Sequence, residues 1–371
     1  MRNYHCQWYV PDLPNADDIH PYLTEIDSNR FYSNFGPLHE KLKRKLHQYF
    51  FSETRGFISL VNSGTSALEM SLRNLKLNRG AKVLVPAFTF AASAVAVVRA
   101  GYDPIFCDVD ESDWRLSPEI AESVIEKRQV DAVLPVSSLG YPQNAMRWAE
   151  FSSKNSTPVV IDAAASLLNQ STAIGVTICF SLHATKPFGI GEGGIVWTSN
   201  SDDHKEIERD INFGFSDGEV KTVGGNYKLN EFMCAVGLAQ LKRFRSVEEK
   251  RTSLYASVFD LLNQNHFELP EIEDSMLCFG APANMAFLAR SPGDASTIRT
   301  ALDSLSIESR RPYCPPLHRH AGFKKWVDGC FENNFSDLTV TEDIQSRIVG
   351  IPVHNFVGPD YVEKISRCLI Q

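Results

Sequence analysis

From about residue 38 the chain alternates between short runs of unbroken apolar residues and stretches with helical spacing, and no other feature restricts its fold as strongly. Lys82-Val83-Leu84-Val85-Pro86 is one such run, and residues 57–61, 103–108, 132–136 and 158–162 are others. Between them, residues 38–51, 66–75, 117–127 and 145–154 have helical spacing, and an alanine-rich helix reaches Ala100. A strand that is apolar at every position has no face to turn to water, so both faces of its sheet must be covered. Strands alternating with helices meet this need as a mostly parallel sheet sandwiched by helices, an α/β fold. Such sheets bind ligands beyond the carboxyl ends of their strands. Thr89, Phe90, Ser137, Ser138 and Asp162 all fall there.

With 371 residues the chain exceeds what one hydrophobic core usually accommodates, so two domains are expected. We place a large domain, with the N-terminal segment, over residues 1–240 and a smaller α/β domain over 241–371. Past Leu241 a helix rich in Arg and Lys begins and the alternation weakens. The net charge of −8 argues against a nucleic-acid groove, which needs a clustered basic face, yet leaves room for a local basic pocket. Met1-Arg2-Asn3-Tyr4-His5-Cys6 leads into polar, proline-bearing sequence rather than the apolar run of a signal peptide. No stretch approaches the roughly 20 apolar residues of a spanning helix, so no membrane partner is expected. The eight cysteines, at 6, 107, 179, 234, 278, 314, 330 and 368, contain no C-x-x-C pair. Zinc spacing is absent, no metal site is expected, and the thiols read as reduced and mostly buried in a cytoplasmic protein.

Three clusters carry chemistry. In Asn62-Ser63-Gly64-Thr65-Ser66-Ala67-Leu68 a strand end turns into a helix. Glycine permits close backbone approach, and free helical N–H groups with two hydroxyls make a phosphate cradle. Alone, the same residues serve as an ordinary N-cap. In Val159-Val160-Ile161-Asp162-Ala163-Ala164-Ala165 a carboxylate ends an apolar strand. A charge in that setting needs a partner, and a protonated heterocyclic nitrogen or the next helix start would each provide one. The third cluster runs from Phe180-Ser181-Leu182-His183-Ala184-Thr185-Lys186 into Pro187-Phe188-Gly189-Ile190-Gly191-Glu192-Gly193-Gly194. A lysine among small and apolar residues has a depressed pKa and becomes an amine nucleophile able to form a Schiff base. Pyridoxal 5'-phosphate (PLP) requires that set: a lysine, an acid for the ring nitrogen, donors for phosphate and a flat group against the ring. Phe90 supplies the last by stacking, or else packs in the core.

In these markers the chain resembles the DegT/DnrJ/EryC1/StrS sugar aminotransferases, which have the aspartate-aminotransferase-like fold (PLP fold type I). The likeness starts at Gly36-Pro37 and takes in the clusters above. It continues through Gly225-Asn226-Tyr227-Lys228-Leu229 to Arg311-Pro312-Tyr313 and Pro316-Leu317-His318. It implies PLP bound on Lys186, Asp162 at the pyridine nitrogen, phosphate held by Gly64, Thr65, Ser66 and Ser181, and Phe90 on the ring. It further implies a homodimer with shared sites, in which Asn226 reaches the partner's cofactor phosphate. Relatives that dehydrate sugars carry histidine in place of the lysine, so Lys186 favours amino transfer.

Two departures stand out. Many members carry Gln, His or Glu where this chain has Ala165, near the cofactor's phenolic oxygen, and Ser137 replaces a common histidine. The segment from Arg311 to His318 resembles that of enzymes making 4-amino-4,6-dideoxy sugars, perosamine synthases among them. The resemblance therefore implies L-glutamate as amino donor and a nucleotide-linked ketosugar as acceptor, with a 4-keto-6-deoxyhexose first. Lys228, Arg311, Tyr313 and His318 suit its diphosphate and hydroxyls. A 3-keto sugar, a cyclitol ketone, or a PLP-holding regulatory protein without turnover are the alternatives.

Overall fold

The computed structural model describes residues 4–272, 280–328 and 338–369, so Met1-Arg2-Asn3, Cys278 and Cys330 lie outside the described residues. Seven strands form the central sheet: β1 (Phe57–Val61), β2 (Lys82–Pro86), β3 (Asp103–Cys107), β4 (Ala132–Val133), β5 (Val160–Asp162), β6 (Thr177–Ser181) and β7 (Gly194–Thr198). β2 runs parallel to both β3 and β4. Parallel bridges Val133–Val159 and Val136–Asp162 carry the sheet on to β5, which is parallel to β6. β7 is antiparallel to β6 on one side and β1 on the other. The order is therefore β3-β2-β4-β5-β6-β7-β1, with β7 alone reversed.

Successive strand residues enter opposite layers, as the two-residue period requires. Leu84, Ile161, Ile178, Phe180, Ile195 and Trp197 join one buried cluster. Val83, Val85, Val160, Cys179 and Val196 join another. The first layer is covered by α1 (Ala16–Asn29), α2 (Pro37–Phe50), α5 (Pro118–Ile125), α6 (Ala145–Asn155) and the start of α8 (Glu231–Gln264). The second is covered by α3 (Gly64–Asn74), α4 (Ala91–Arg99) and α7 (Ser201–Asp210). Each fully buried Leu, Ile or Phe contributes about 1.5–3 kcal/mol relative to exposure, which is why the apolar runs were unbroken.

Local signals set the helix ends. Ser63, Ser117, Asn144 and Asn230 cap α3, α5, α6 and α8 by accepting a first-turn N–H. α2 has no side-chain cap of its own. Instead the buried Glu231 accepts from Leu38 N and His39 N, both at 2.8 Å. A Cβ at Gly36 would sit 2.7 Å from the Glu231 Cδ, which explains the Gly36-Pro37 pair. Two expectations are corrected. The strand expected over 132–136 forms a ladder only at Ala132–Val133, because Pro135 has no N–H to donate. The helix expected past Leu241 begins at Glu231 and continues through residue 264 without a break.

A short hairpin, β8 (Phe215–Ser216) with β9 (Glu219–Val220), follows α7. After α8 the chain builds a second layer from β10 (Met285–Leu288), α9 (Pro292–Ser304), α11 (Thr339–Arg347), β11 (Ile348–Ile351) and α12 (Tyr361–Leu369), while α10 (Lys324–Asp328) returns to β3 of the central sheet, where Trp326 Nε1 donates to Asp103 Oδ1 at 2.8 Å. β10 and β11 are antiparallel, and their residues form a separate core with Tyr255, Val258, Leu262, Leu302 and Ile365. The N-terminal segment, first in sequence, is hydrogen-bonded to this C-terminal part. Cys6 N donates to Ser306 O at 3.1 Å, and Trp8 N donates to Glu308 Oε2 at 2.8 Å. The six described cysteines are free thiols, four of them buried. No helix among the described residues is long and apolar enough to cross a membrane.

Candidate active site

The phosphate cradle is built by two glycines. Gly64 opens α3 against the end of β6, and a Cβ there would lie 2.7 Å from the Ser181 Cβ. Gly194 opens β7 under the same turn, and a Cβ there would lie 2.5 Å from Ser63 O. Only hydrogen fits at either place, so the α3 N-terminus is held directly on Ser181. Ser66 is buried and donates to Asn62 Oδ1 at 2.7 Å, while Thr65 is half-buried in the first turn. Gly64, Thr65, Ser66 and Ser181 thus converge at a helix N-terminus, a place suited to a phosphate. Gly64→Ala is expected to cost about 1–3 kcal/mol through overpacking. It should lower the melting temperature and weaken PLP binding, both measurable by thermal melts with and without cofactor.

Asp162 ends β5 at 5% exposure. It accepts from Ser93 Oγ at 2.7 Å and from Ala164 N at 3.1 Å, and Ser93 is in turn paired with Thr89 Oγ1 at 2.9 Å. Burial pushes its carboxyl above the usual range, while Ser93, Ala164 and the Lys186 amine act downward. Lys186 lies half-buried on the return between β6 and β7. That return folds onto itself: Lys186 N donates to His183 O at 2.9 Å and Ala184 N to Gly191 O at 2.8 Å. Gly191 has φ +107°, and a Cβ at Gly189 would meet Ala184 O at 2.7 Å, so the glycine run is what lets the turn close. Burial pulls the amine below its ordinary value, and Asp162 opposes this. An amine whose pKa is lowered near a carboxylate can attack a carbonyl and shuttle a proton.

Phe90 precedes α4 with its ring 69% exposed, so it is not core packing and is free to lie on a flat ligand. The remaining candidates are more dispersed. Asn226 is exposed, and its carbonyl, not its amide, accepts from Asn62 Nδ2 at 3.4 Å. Lys228 is buried, pulled down by desolvation, with its Nζ 4.6 Å from the Phe213 ring centre. Tyr313 accepts from Leu139 N at 3.0 Å and packs edge-on against Phe88, and burial pushes its phenol up. Arg311 is exposed and donates to Gln345 O at 2.7 Å. His318 bonds Glu342 Oε1 through Nε2 at 2.7 Å, and burial lowers its pKa. These last two are turned to α11 rather than gathered at Lys186.

Several neighbours of these residues were not singled out from the sequence. Ser93 is the direct partner of Asp162, and its place four residues after Thr89 on a helix start was the available signal. Beside Lys186 opens a cleft lined by Trp8, Tyr9, Arg251, Asn284 and His354. Tyr9 donates to Asn284 Oδ1 at 2.8 Å, and Asn284 N to Leu139 O at 3.0 Å. These residues come from opposite ends of the chain, and no local pattern marks them.

A mixed sheet with one reversed strand, a lysine on the return into that strand and a helix N-terminus suited to a phosphate at its edge match the aspartate-aminotransferase-like fold, PLP fold type I. The chain belongs to the DegT/DnrJ/EryC1/StrS aminotransferase family, whose profile matches residues 15–370, and its cofactor is accordingly pyridoxal phosphate. It is 32% identical over 370 residues to a dTDP-4-amino-4,6-dideoxy-D-glucose transaminase of Shigella dysenteriae, covering 96% of this chain and 95% of that one. It is 30% identical to protein Rv3402c of Mycobacterium tuberculosis, covering 96% of this chain and 87% of that protein. A crystal structure of a Brucella abortus family member superposes with a TM-score of 0.83 at 24% identity, over 95% of this chain and 94% of that one. The chain is a sugar aminotransferase of this family.

Proposed function

We propose that this chain transfers the amino group of L-glutamate to C4 of a nucleotide-linked 4-keto-6-deoxyhexose. The observation that carries the chemistry is the placement of the half-buried Lys186, on the β6–β7 return, near the buried Asp162 carboxylate and the N-terminus of α3. Support for the position on the sugar comes from the named activity of the Shigella relative, which spans nearly the whole chain.

Bound at this site, pyridoxal phosphate supplies an aldehyde that takes up the nitrogen and a ring that accepts a carbanion's electron pair. Asp162 holds the proton at the pyridine nitrogen, and Ser93 fixes which carboxylate oxygen faces it. Gly64, Thr65, Ser66 and Ser181 grip the phosphate, and Phe90 covers one ring face. Lys186 would hold the group's aldehyde carbon, and once freed its amine would take the proton from glutamate's α-carbon; with the ketosugar it would move a proton in the opposite direction. 2-Oxoglutarate would take its new oxygen from water, and the C4 oxygen of the sugar would leave as water.

In this reading Tyr313 and Lys228 stand on the acceptor side, and the acceptor's diphosphate draws Arg311 and His318 from their bonds to α11. The chain works as a homodimer in the cytoplasm, with the exposed Asn226 presented to the partner. The exposed apolar residues Phe213, Phe215, Val223 and Phe232 around that segment favour a covered surface. The deciding experiment incubates purified protein and PLP with glutamate and a panel of nucleotide-linked 3-keto and 4-keto sugars, reading products by mass and NMR. An amine at C4 of a 6-deoxy sugar is expected. Nitrogen at C3, or none transferred to any sugar, would overturn the proposal.

A further inference from the structure

The start of α4 carries two buried hydroxyls that do not serve the helix. Ser93 is 0% exposed and Thr89 2% exposed. The N-cap position between them is Phe90, which gives no side-chain cap. A hydroxyl at a helix start ordinarily accepts from a free N–H group. These two turn elsewhere. Ser93 Oγ donates to Asp162 Oδ2 at 2.7 Å, and Thr89 Oγ1 lies 2.9 Å from Ser93 Oγ. Among the described residues neither hydroxyl has any other partner.

The direction of this chain follows from its donors and acceptors. An ionised carboxylate only accepts, so the Ser93 proton goes to Asp162 and the Thr89 proton goes to Ser93 Oγ. Every proton then has an acceptor. In the opposite direction Asp162 carries a proton to Ser93 Oγ, Ser93 donates to Thr89 Oγ1, and the Thr89 proton is stranded in the interior. A shielded donor without an acceptor is rare in native folds and costly. The chain is therefore complete only with a charged carboxylate at its end.

We infer that Thr89 and Ser93 are positioning residues for amino transfer, a one-way hydroxyl relay that keeps Asp162 an anionic acceptor for the cofactor's ring nitrogen. The inference rests on the reading of Asp162 as that nitrogen's partner. Burial works against a charge here, and the relay at Oδ2 and Ala164 N at Oδ1 oppose it. Lys186 supplies the opposite charge from the β6–β7 return. The Cys179 thiol on β6 and the Tyr313 phenol, also within reach of this charge, are kept neutral by burial. Each carboxylate oxygen accepts a single bond and retains a lone pair for the ring nitrogen. Thr89 directly precedes Phe90, so the turn that presents the exposed ring also sets the carboxylate.

Carbon NMR of cofactor-free protein labelled at aspartate, with Asp162→Asn to identify the signal, reads this carboxyl directly. Ser93→Ala should raise its titration by about one pH unit. Thr89→Val keeps the shape but removes the donor, and should raise it by roughly half as much through lost polarisation along the chain. Thr89→Ser keeps the hydroxyl and should titrate like wild type. Ser93→Ala removes one atom only, so it covers the case in which the valine variant does not fold. Hydroxyls with a packing role alone would lower the melting temperature and leave the titration in place. In protein loaded with PLP carrying heavy nitrogen in its ring, Ser93→Ala should move the shared proton from the nitrogen toward the carboxylate. A wild-type titration in folded Ser93→Ala or folded Thr89→Val overturns the inference. A ring nitrogen equally protonated in wild type and Asp162→Asn overturns instead the site reading beneath it.

Discussion

Lys186→Ala is expected to lower the turnover of glutamate with the ketosugar by about four orders of magnitude or more, since one change removes both the covalent attachment point and the proton carrier. Borohydride should fix the cofactor onto wild-type protein, with the modified peptide containing residue 186, and should fix nothing onto the variant. Folding should not suffer. Burial lowers the amine's pKa despite the opposing pull of Asp162, so the folded chain holds this proton less tightly than the unfolded one. At pH 7, below the ordinary lysine value, that difference opposes folding. The cofactor-free variant should therefore melt at or above the wild-type temperature. Turnover near the wild-type rate, or a collapse in stability that accounts for lost activity, would refute the role given to Lys186.

Asp162→Asn carries the second large effect. The amide keeps the volume, its one oxygen can still accept from Ala164 N while its Nδ2 donates to a rotated Ser93 Oγ, but it cannot hold the ring nitrogen in its protonated state. Loss of one fixed electrostatic partner at a developing charge costs about 10²- to 10³-fold in kcat. The stability sign runs the other way. Burial, its largest influence, raises the carboxyl's pKa, so the protonated form is favoured by folding. That contribution is fully present below the unfolded carboxylate value and is lost as pH rises through the folded one. At pH 7 the ionised Asp162 is a burden to the cofactor-free protein, and the asparagine variant should be at least as stable there, with the difference vanishing in acid. Thermal melts across pH 4–8 on both cofactor-free proteins would read this directly. A variant with unimpaired kcat would remove Asp162 from the chemistry.

The parts that were legible and the parts that were not divide along physical lines. β2 and β5 were readable because residues buried on both faces must be apolar at nearly every position. Direction is another matter: nothing in Gly194-Ile195-Val196-Trp197-Thr198 encodes that β7 runs backward, because apolar content does not depend on strand polarity. Lys186, Asp162 and the Gly64 turn were visible because their neighbours, small residues and glycines, are local in sequence. Ser93 lies on a helix that reads as plain alanine-rich packing, and only its contact with Asp162 gives it a role. Tyr9 was hidden for a similar reason, since its setting comes from Asn284, far away in the chain. His318 is expected at the acceptor's hydroxyls and has another partner in the structure. Its cationic surroundings looked like a ligand wall, yet its ring is already bonded to Glu342, and any acceptor must compete with that carboxylate.

The reversal of β7 has a bearing on how this protein can change. Because β6 and β7 are antiparallel, the link between them needs no crossover helix and consists of a compact loop pinned at both ends by ladder bonds, Ser181 opposite Gly194. The reactive side chain is carried on that loop without contributing to the layers that keep the sheet dry. Exchanging it alters reactivity while the scaffold keeps its shape, so position 186 is a point at which one ancestral framework can be diverted to a different reaction by a single codon.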